Sequence, residues 1–249
     1  AGLANEGMVP FCATFSPFAT RRAYDQVTIS VAYAENPVKI VGTAPGVTTA
    51  KNGATHMCFQ DLAIMRAMPN MRGFCPADVY ELRSVVKYMA ASNKPEYMQL
   101  IREIHAPLFD ESYEFDPFQA RILDEGSDVT LVTTGLTTQF ARDAVATLKK
   151  EGIGIEHLHY PSVKPFDVQT LVDSVKKTNV VVTAENQNVI GGLGGAVCEV
   201  LAENYPAKVK RLGAQDRFGE VGDVPYLSDT LGFSAPKIAD ASREMVKAK

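Results

Sequence analysis

Two rhythms of apolar and polar positions run along the chain. Short apolar runs rich in β-branched and aromatic residues alternate with longer amphipathic stretches of helical period. In the first half this predicts strands at 9–15, 38–42, 71–75 and 97–101, with helices near 17–33, 58–67 and 78–92. The helix starts carry their own signals. Ser16-Pro17 offers an N-cap followed by proline at the first helical position. Asp78 with Glu81 three residues later resembles a capping box in which Asp replaces Ser or Thr. Residues 107–127, with Pro107, Pro117, several acids and Gly126, keep no period and suggest a connector. A second series follows, with strands at 129–134, 155–159, 179–183 and 208–212 and helices at 137–151, 167–176 and 196–204. Strands alternating with helices imply parallel sheets covered on both faces. The expected fold is therefore α/β with two three-layer αβα domains. The first spans 1–108, a linker spans 109–126, and a smaller, mostly parallel second domain spans 127–249.

Composition narrows the function classes. Apolar residues make up 46% and charged residues 22%, the balance of a soluble globular protein. A net charge of -4 with scattered Lys and Arg leaves no basic surface for nucleic acid. No apolar run approaches the roughly 20 residues of a membrane span, so no membrane role and a cytoplasmic location are expected. Cys12, Cys58, Cys75 and Cys198 are widely spaced, without a CxxC pair, and are expected to be reduced core residues. The first six residues suggest the last turns of a helix stopped at Gly7. They show neither an initiating Met nor a capped start, so further residues are expected upstream.

Few residues suggest chemistry by themselves. His157 and His159 share one face of a strand with Glu156 opposite; no third ligand is placed near them, so a structural role is expected and no metal site. His105 falls in the connector and is expected at the surface. His56, in Gly53-Ala-Thr-His56, follows a strand and precedes a helix, where ligands of open α/β sheets gather. It could donate to a substrate hydroxyl or move a proton, and local hydrogen bonds would explain it equally well. Phe15, Phe18 and Arg21, three residues apart, could clamp a flat aromatic ligand, although simple packing of a helix start is the plainer account. The glycines of 191–195 could cradle a phosphate. They match neither a Walker loop nor a dinucleotide fingerprint, so close helix–strand packing is the expected role.

In order along the chain, several segments resemble the C-terminal half of transketolase. Thr14–Gln26 (TFSPFATRRAYDQ) is similar to the segment that packs on the cofactor's aminopyrimidine. Asn52–His56 (NGATH) is similar to the substrate loop, and Leu62–Met71 and Pro76–Asp78 to connecting elements. Gly126–Leu131, Ile190–Gly194 and Arg211–Gly219 resemble the transketolase C-terminal domain. The resemblance implies a pyrimidine-binding domain followed by that C-terminal domain. It also implies thiamine diphosphate with Mg²⁺ as cofactors, sugar-phosphate substrates and transfer of a two-carbon ketol unit.

Residue by residue, the resemblance implies that Phe15 and Phe18 hold the aminopyrimidine, with Arg21 standing where some relatives have Tyr. His56 would bind donor hydroxyls and assist proton transfer; Arg102 would bind the substrate phosphate, to which a planar guanidinium is suited. Two positions depart from the family. Asn52 replaces the usual substrate-reading carboxylate, and Ala44 replaces a histidine common in relatives. An unusual, sulfonated or branched donor is therefore expected. The activating glutamate and the Mg²⁺–diphosphate motif have no counterpart here, and Gly222-Asp223 does not supply one. The expected partners are an N-terminal transketolase section carrying the diphosphate-binding domain and a second pyrimidine-binding domain in a homodimer. The isolated chain is expected to be inactive. A deoxyxylulose-phosphate synthase-like protein, a 2-oxo-acid dehydrogenase β-type subunit and a non-catalytic assembly module are the alternatives.

Overall fold

A computed structural model describes residues 1–249. A short helix α1 (Gly2–Asn5) ends near Gly7, whose φ of +82° stops it. Strand β1 (Phe11–Phe15) leads into α2 (Ser16–Ala19), α3 (Tyr24–Val27) and a π-helical turn (Thr28–Tyr33). The sequence pattern predicts one continuous helix here. It is broken at Thr20, whose backbone leaves the helical region and whose hydroxyl bonds back to the Ser16 carbonyl at 2.7 Å.

β2 (Lys39–Thr43), the 3₁₀ turns of Gly46–Asn52, α4 (Asp61–Ala67), β3 (Arg72–Phe74), α5 (Val79–Ala91) and β4 (Glu96–Leu100) complete the first series. The second series comprises β5 (Arg121–Asp124), β6 (Val129–Thr133), α6 (Leu136–Lys150), β7 (Ile155–His159), β8 (Ser162–Lys164), α7 (Val168–Thr178), β9 (Val180–Asn188), α8 (Leu193–Asn204), β10 (Lys208–Ala214), α9 (Val224–Thr230) and α10 (Ala235–Lys247).

Two five-stranded sheets result, ordered β1-β2-β4-β3-β8 and β10-β9-β6-β7-β5. Each is parallel except for one antiparallel edge strand, β8 on β3 and β5 on β7. Helices flank both sheets, giving two αβα units. The central strands are buried from end to end; Val129–Thr133 and Ile155–His159 expose no residue. This is the signature of parallel strands covered on both faces. Helix starts follow side-chain chemistry. Asp78 accepts from Glu81 N at 2.8 Å, Asp167 from Thr170 N at 3.1 Å, and Asp223 from Tyr226 N at 2.9 Å. Glu81 completes only half of the expected capping box, because its carboxylate reaches Ala77 N rather than Asp78 N.

The two units interlock. β8 comes from the second half of the chain but extends the first sheet. Val47, Met57 and Phe59 from the first half sit in the largest hydrophobic core, with Leu131, Leu136 and Leu227. Leu62 and Cys75 join Val132, Leu158 and Leu193 in a second core. On α4, Arg66 forms a bidentate ion pair with Glu199 on α8, both bonds 2.7 Å long. No helix is long and apolar enough to cross a membrane. Cys58 and Cys75 are buried as expected, but Cys12 is exposed on the edge strand β1 and Cys198 is half-buried. A single pairing partner and an open outer edge leave Cys12 uncovered.

Candidate functional site

Parallel register aligns Phe15, Thr43 and Leu100 at the carboxyl ends of β1, β2 and β4. The segments that leave these three ends form the candidate site. Open α/β sheets bind ligands there because the chain must turn away from the sheet, exposing loops and helix starts. Phe15 ends β1 and Phe18 lies on α2. Their ring centroids are 6.1 Å apart in an edge-to-face arrangement. The His56 ring lies 6.1 Å from Phe15 and 5.6 Å from Phe18, again edge to face. Edge-to-face pairs are favoured by the ring quadrupoles. The three rings are half-buried and form one cluster. Thr55 holds His56 through a 2.9 Å hydrogen bond to Nδ1, and Arg21 donates to the Thr55 carbonyl at 3.1 Å. The guanidinium over an aromatic ring belongs to Arg22 instead, 4.0 Å from the centroid of Phe18. Asn52 is exposed at the end of the 3₁₀ turns, and Arg102 is exposed two residues after β4. The structure thus brings Phe15, Phe18, His56 and Arg21 together, with Asn52 and Arg102 on neighbouring loops at the same end of the sheet.

Beneath the rings lies a carboxylate that sequence inspection does not single out. Asp61 is fully buried, and its Oδ2 accepts from Ser16, Tyr97 and, at 3.0 Å, Gln99, while Oδ1 has no partner. Burial raises its pKa against the pull of these donors. Through Ser16, the first residue of α2, Asp61 ties the segment bearing Phe18 to α4 and β4. Burial, reinforced by nearby Asp61, also pushes the Cys58 thiol up to about 12, so it stays protonated at neutral pH. The signal for Asp61 was an acid at the start of an apolar helix, which suggests helix capping rather than a buried hub.

The other histidines are structural or peripheral to this cluster. His157 bonds Thr133 at 2.8 Å, Thr133 bonds Thr138 at 2.9 Å, and Thr138 bonds His159 at 2.8 Å. His159 meets Glu81 at 2.7 Å, joining the second unit to the first through a buried polar chain. His105 is half-buried rather than on the surface. It lines a cavity of about 460 Å³ with Glu103, Pro76 and Leu100, and burial lowers its pKa. Connector residues folded over the carboxyl ends of β3 and β4 cover it.

The glycine loop is filled by the protein itself. The carboxylate of Glu185 accepts from Leu193 N at 2.7 Å and Gly194 N at 2.8 Å, occupying the start of α8. A side chain at Gly192 would overlap that carboxylate. Burial raises Glu185 to about 7, opposed by the two backbone donors and by Arg211 and Arg66. Between about pH 4.5 and 7 the folded state therefore keeps a proton that the unfolded chain releases, and stability falls as pH rises through this window. Glu185→Gln is expected to remove about 3 kcal/mol of this decline. Urea titrations of both proteins from pH 4.5 to 8 measure the difference; parallel curves would refute it.

Two mostly parallel αβα units, with an aromatic and histidine cluster at the carboxyl end of the first sheet, define a class of cofactor-dependent enzyme domains rather than a DNA-binding or membrane module. Residues 1–104 match the pyrimidine binding domain of transketolase, and residues 119–238 match the transketolase C-terminal domain. The chain belongs to the transketolase family. It is 44% identical over 249 residues to the 6-deoxy-6-sulfo-D-fructose transketolase subunit SqwH of Clostridium sp. (strain MSTE9), covering 100% of this chain and 77% of that protein. It is also 36% identical over 253 residues to 1-deoxy-D-xylulose-5-phosphate synthase 1 of Geobacter sulfurreducens (strain ATCC 51573 / DSM 12127 / PCA), covering 100% of this chain but 39% of the synthase. Among solved structures, a split gene transketolase described as an inactive β4 tetramer superimposes with a TM-score of 0.90 at 38% identity, covering 99% of this chain and 78% of that one.

Proposed function

We propose that this chain is the C-terminal subunit of a thiamine-diphosphate transketolase and moves a two-carbon ketol unit from a ketose donor to an aldose acceptor. The observation that carries this reading is the meeting of Phe15, Phe18 and His56 at the carboxyl end of the first sheet. Two half-buried rings set edge to face, with an imidazole beside them, fit a flat aminopyrimidine with a polar substrate above it. When bound, thiamine diphosphate supplies the carbanion chemistry that breaks and forms the carbon–carbon bond.

The chain's own residues bind, orient and move protons. Phe15 and Phe18 pack the pyrimidine ring, and Arg22 braces Phe18 from its other side. Arg21 acts indirectly by holding Thr55, which orients His56. With Nδ1 engaged by Thr55, His56 has Nε2 available to bond a donor hydroxyl and move its proton. Asn52 reads a sugar hydroxyl through a neutral amide, and Arg102 takes the anionic end of the sugar. Diphosphate and Mg²⁺ are held mainly by a partner subunit, and pyrimidine-binding domains pair as a homodimer in the assembled enzyme.

The departures at Asn52 and Ala44, together with the printed substrate of the Clostridium relative, support a sulfonated ketose as donor. A donor screen on the chain mixed with its diphosphate-domain subunit, thiamine diphosphate and Mg²⁺ tests both parts of this proposal. Transfer from 6-deoxy-6-sulfofructose faster than from xylulose 5-phosphate is expected. Best turnover of xylulose 5-phosphate would overturn the donor assignment, and no ketol transfer from any donor would overturn the activity. The chain alone is expected to be inactive, as the related β4 tetramer is described to be; turnover by the purified chain would refute this. The synthase-like alternative predicts condensation of pyruvate with glyceraldehyde 3-phosphate, and the same assay separates the two.

A further inference from the structure

We propose that Asn186, at the carboxyl end of β9 in the second unit, is a positioning residue for His56, so that the C-terminal domain sets the geometry of the first unit's substrate loop. This rests on the proposed role of His56. Loop residues 44–58 are held closed at the base by Gly46 N donating to the Cys58 carbonyl at 3.1 Å. Thr49 bonds the carbonyls of Ala44 at 2.8 Å and His56 at 3.2 Å, tying the loop's start to His56 itself. Ala44 and Ala50 lie in the left-handed region, with φ of 49° and 48°. Such backbone states cost roughly 1–3 kcal/mol each and persist only where the surroundings impose them.

Those surroundings come largely from the second unit. The Asn186 side chain accepts from Val47 N at 2.9 Å and donates to the Pro45 carbonyl at 3.0 Å, using both ends of its amide on one turn. Asn186 is buried, and Gly46 lies so close to its side chain and carbonyl that no Cβ would fit. Next along β9, Asn188 N donates to the Phe59 carbonyl at 2.8 Å on the far side of the loop. Val47, Met57 and Phe59 bracket the loop and lie in the second unit's core. Gly219 packs against Met57 and Phe59, and a Cβ at Gly53 would stand 3.0 Å from Val221. The strained loop is therefore seated on the second unit at both ends, and Asn186 supplies the two side-chain hydrogen bonds of that seat. His56 follows nine residues after Val47 and reaches the Phe15–Phe18 rings only in this loop conformation.

Hydrogen exchange on the full chain and steady-state kinetics of the chain with its diphosphate-domain subunit test the assignment. In Asn186→Ala, amide exchange across 44–58 is expected to rise by about tenfold or more while β6 and α6 keep wild-type protection. In the assembled enzyme kcat is expected to fall about 100-fold, the size of effect that small misplacement of a reacting group produces, with the KM for donor and the Kd for thiamine diphosphate changed less than about threefold. Wild-type exchange across 44–58, or an unchanged kcat, would overturn the proposal. Where the alanine variant loses protection throughout, Asn186→Asp decides by the same exchange measurement: it keeps the side-chain size and the acceptor for Val47 N but sets a carboxylate against the Pro45 carbonyl. Faster exchange confined to 44–58 supports the seat, and wild-type exchange refutes it. Should the wild-type assembly transfer no ketol unit, the functional proposal fails while the exchange result still judges Asn186.

Discussion

Alanine in place of His56 is expected to lower the kcat of the assembled enzyme by about 10²–10⁴-fold, the usual contribution of a positioned acid or base. His56 is the imidazole of the three-ring cluster, and Thr55 fixes its Nδ1 side. Removing the ring deletes the group that binds and protonates the donor hydroxyl, while both phenylalanines remain. Loss of two edge-to-face contacts, each worth about 0.5–1.5 kcal/mol, is expected to leave affinity for thiamine diphosphate within about tenfold. His56→Gln, which retains a hydrogen-bond donor but cannot carry the proton, is expected to recover donor binding more than turnover. Steady-state kinetics and cofactor titration of the three proteins measure this, and a kcat within about threefold of wild type for the alanine variant would remove His56 from the chemistry.

Gly46→Ala is expected to destabilise the chain by about 3 kcal/mol or more, through two mechanisms that act together. At φ +54° an L-residue pays for the left-handed conformation, and the new methyl would overlap the Asn186 side chain and backbone carbonyl. Neither side can easily yield. Asn186 continues the buried strand β9, and the 45–47 turn leads into the core through Val47, which is 0% exposed. Interiors packed to this density transmit strain rather than absorb it. Urea unfolding is expected to show a lower midpoint with an unchanged m-value, and an unchanged midpoint would mean that the two units do not meet at Gly46 as described.

Much of the architecture is legible locally. The buried strands β6 and β7 are continuous apolar or β-branched runs, and the starts of α5 and α7 carry Asp caps that the structure realises. α9 and α10 were equally accessible in principle, since Asp223 and Ser234 each precede a proline in the first helical turn, yet the strand–helix alternation drew attention only as far as 212. β5 and β8 were not legible. Strands of four and three residues with mixed exposure have no period of their own and exist because a sheet edge offers them partners. The same limit applies to the site. Phe15, Phe18 and His56 lie in short motifs flanking strand ends, so their neighbourhood follows from chain order. Arg22 and Arg21 exchange their expected tasks because the helix after β1 is broken at Thr20, which rotates the following residues about the axis.

Asn186 and Asp61 mark the boundary between the two kinds of knowledge. Asn186 lies 139 residues from the amide it accepts, and Asp61 lies 45 residues from Ser16. From the sequence alone came two parallel αβα series, the transketolase resemblance and the residues offered to cofactor and substrate, because periodicity, capping and motif spacing act over a few turns of chain. Tertiary structure decided that Glu185 fills the glycine loop, that Asp61 anchors the aromatic segment, and that the substrate loop is seated on the second domain. Those outcomes depend on which buried polar groups find partners when distant segments meet, and a buried amide or carboxylate takes whatever donor or acceptor the packing brings within about 3 Å.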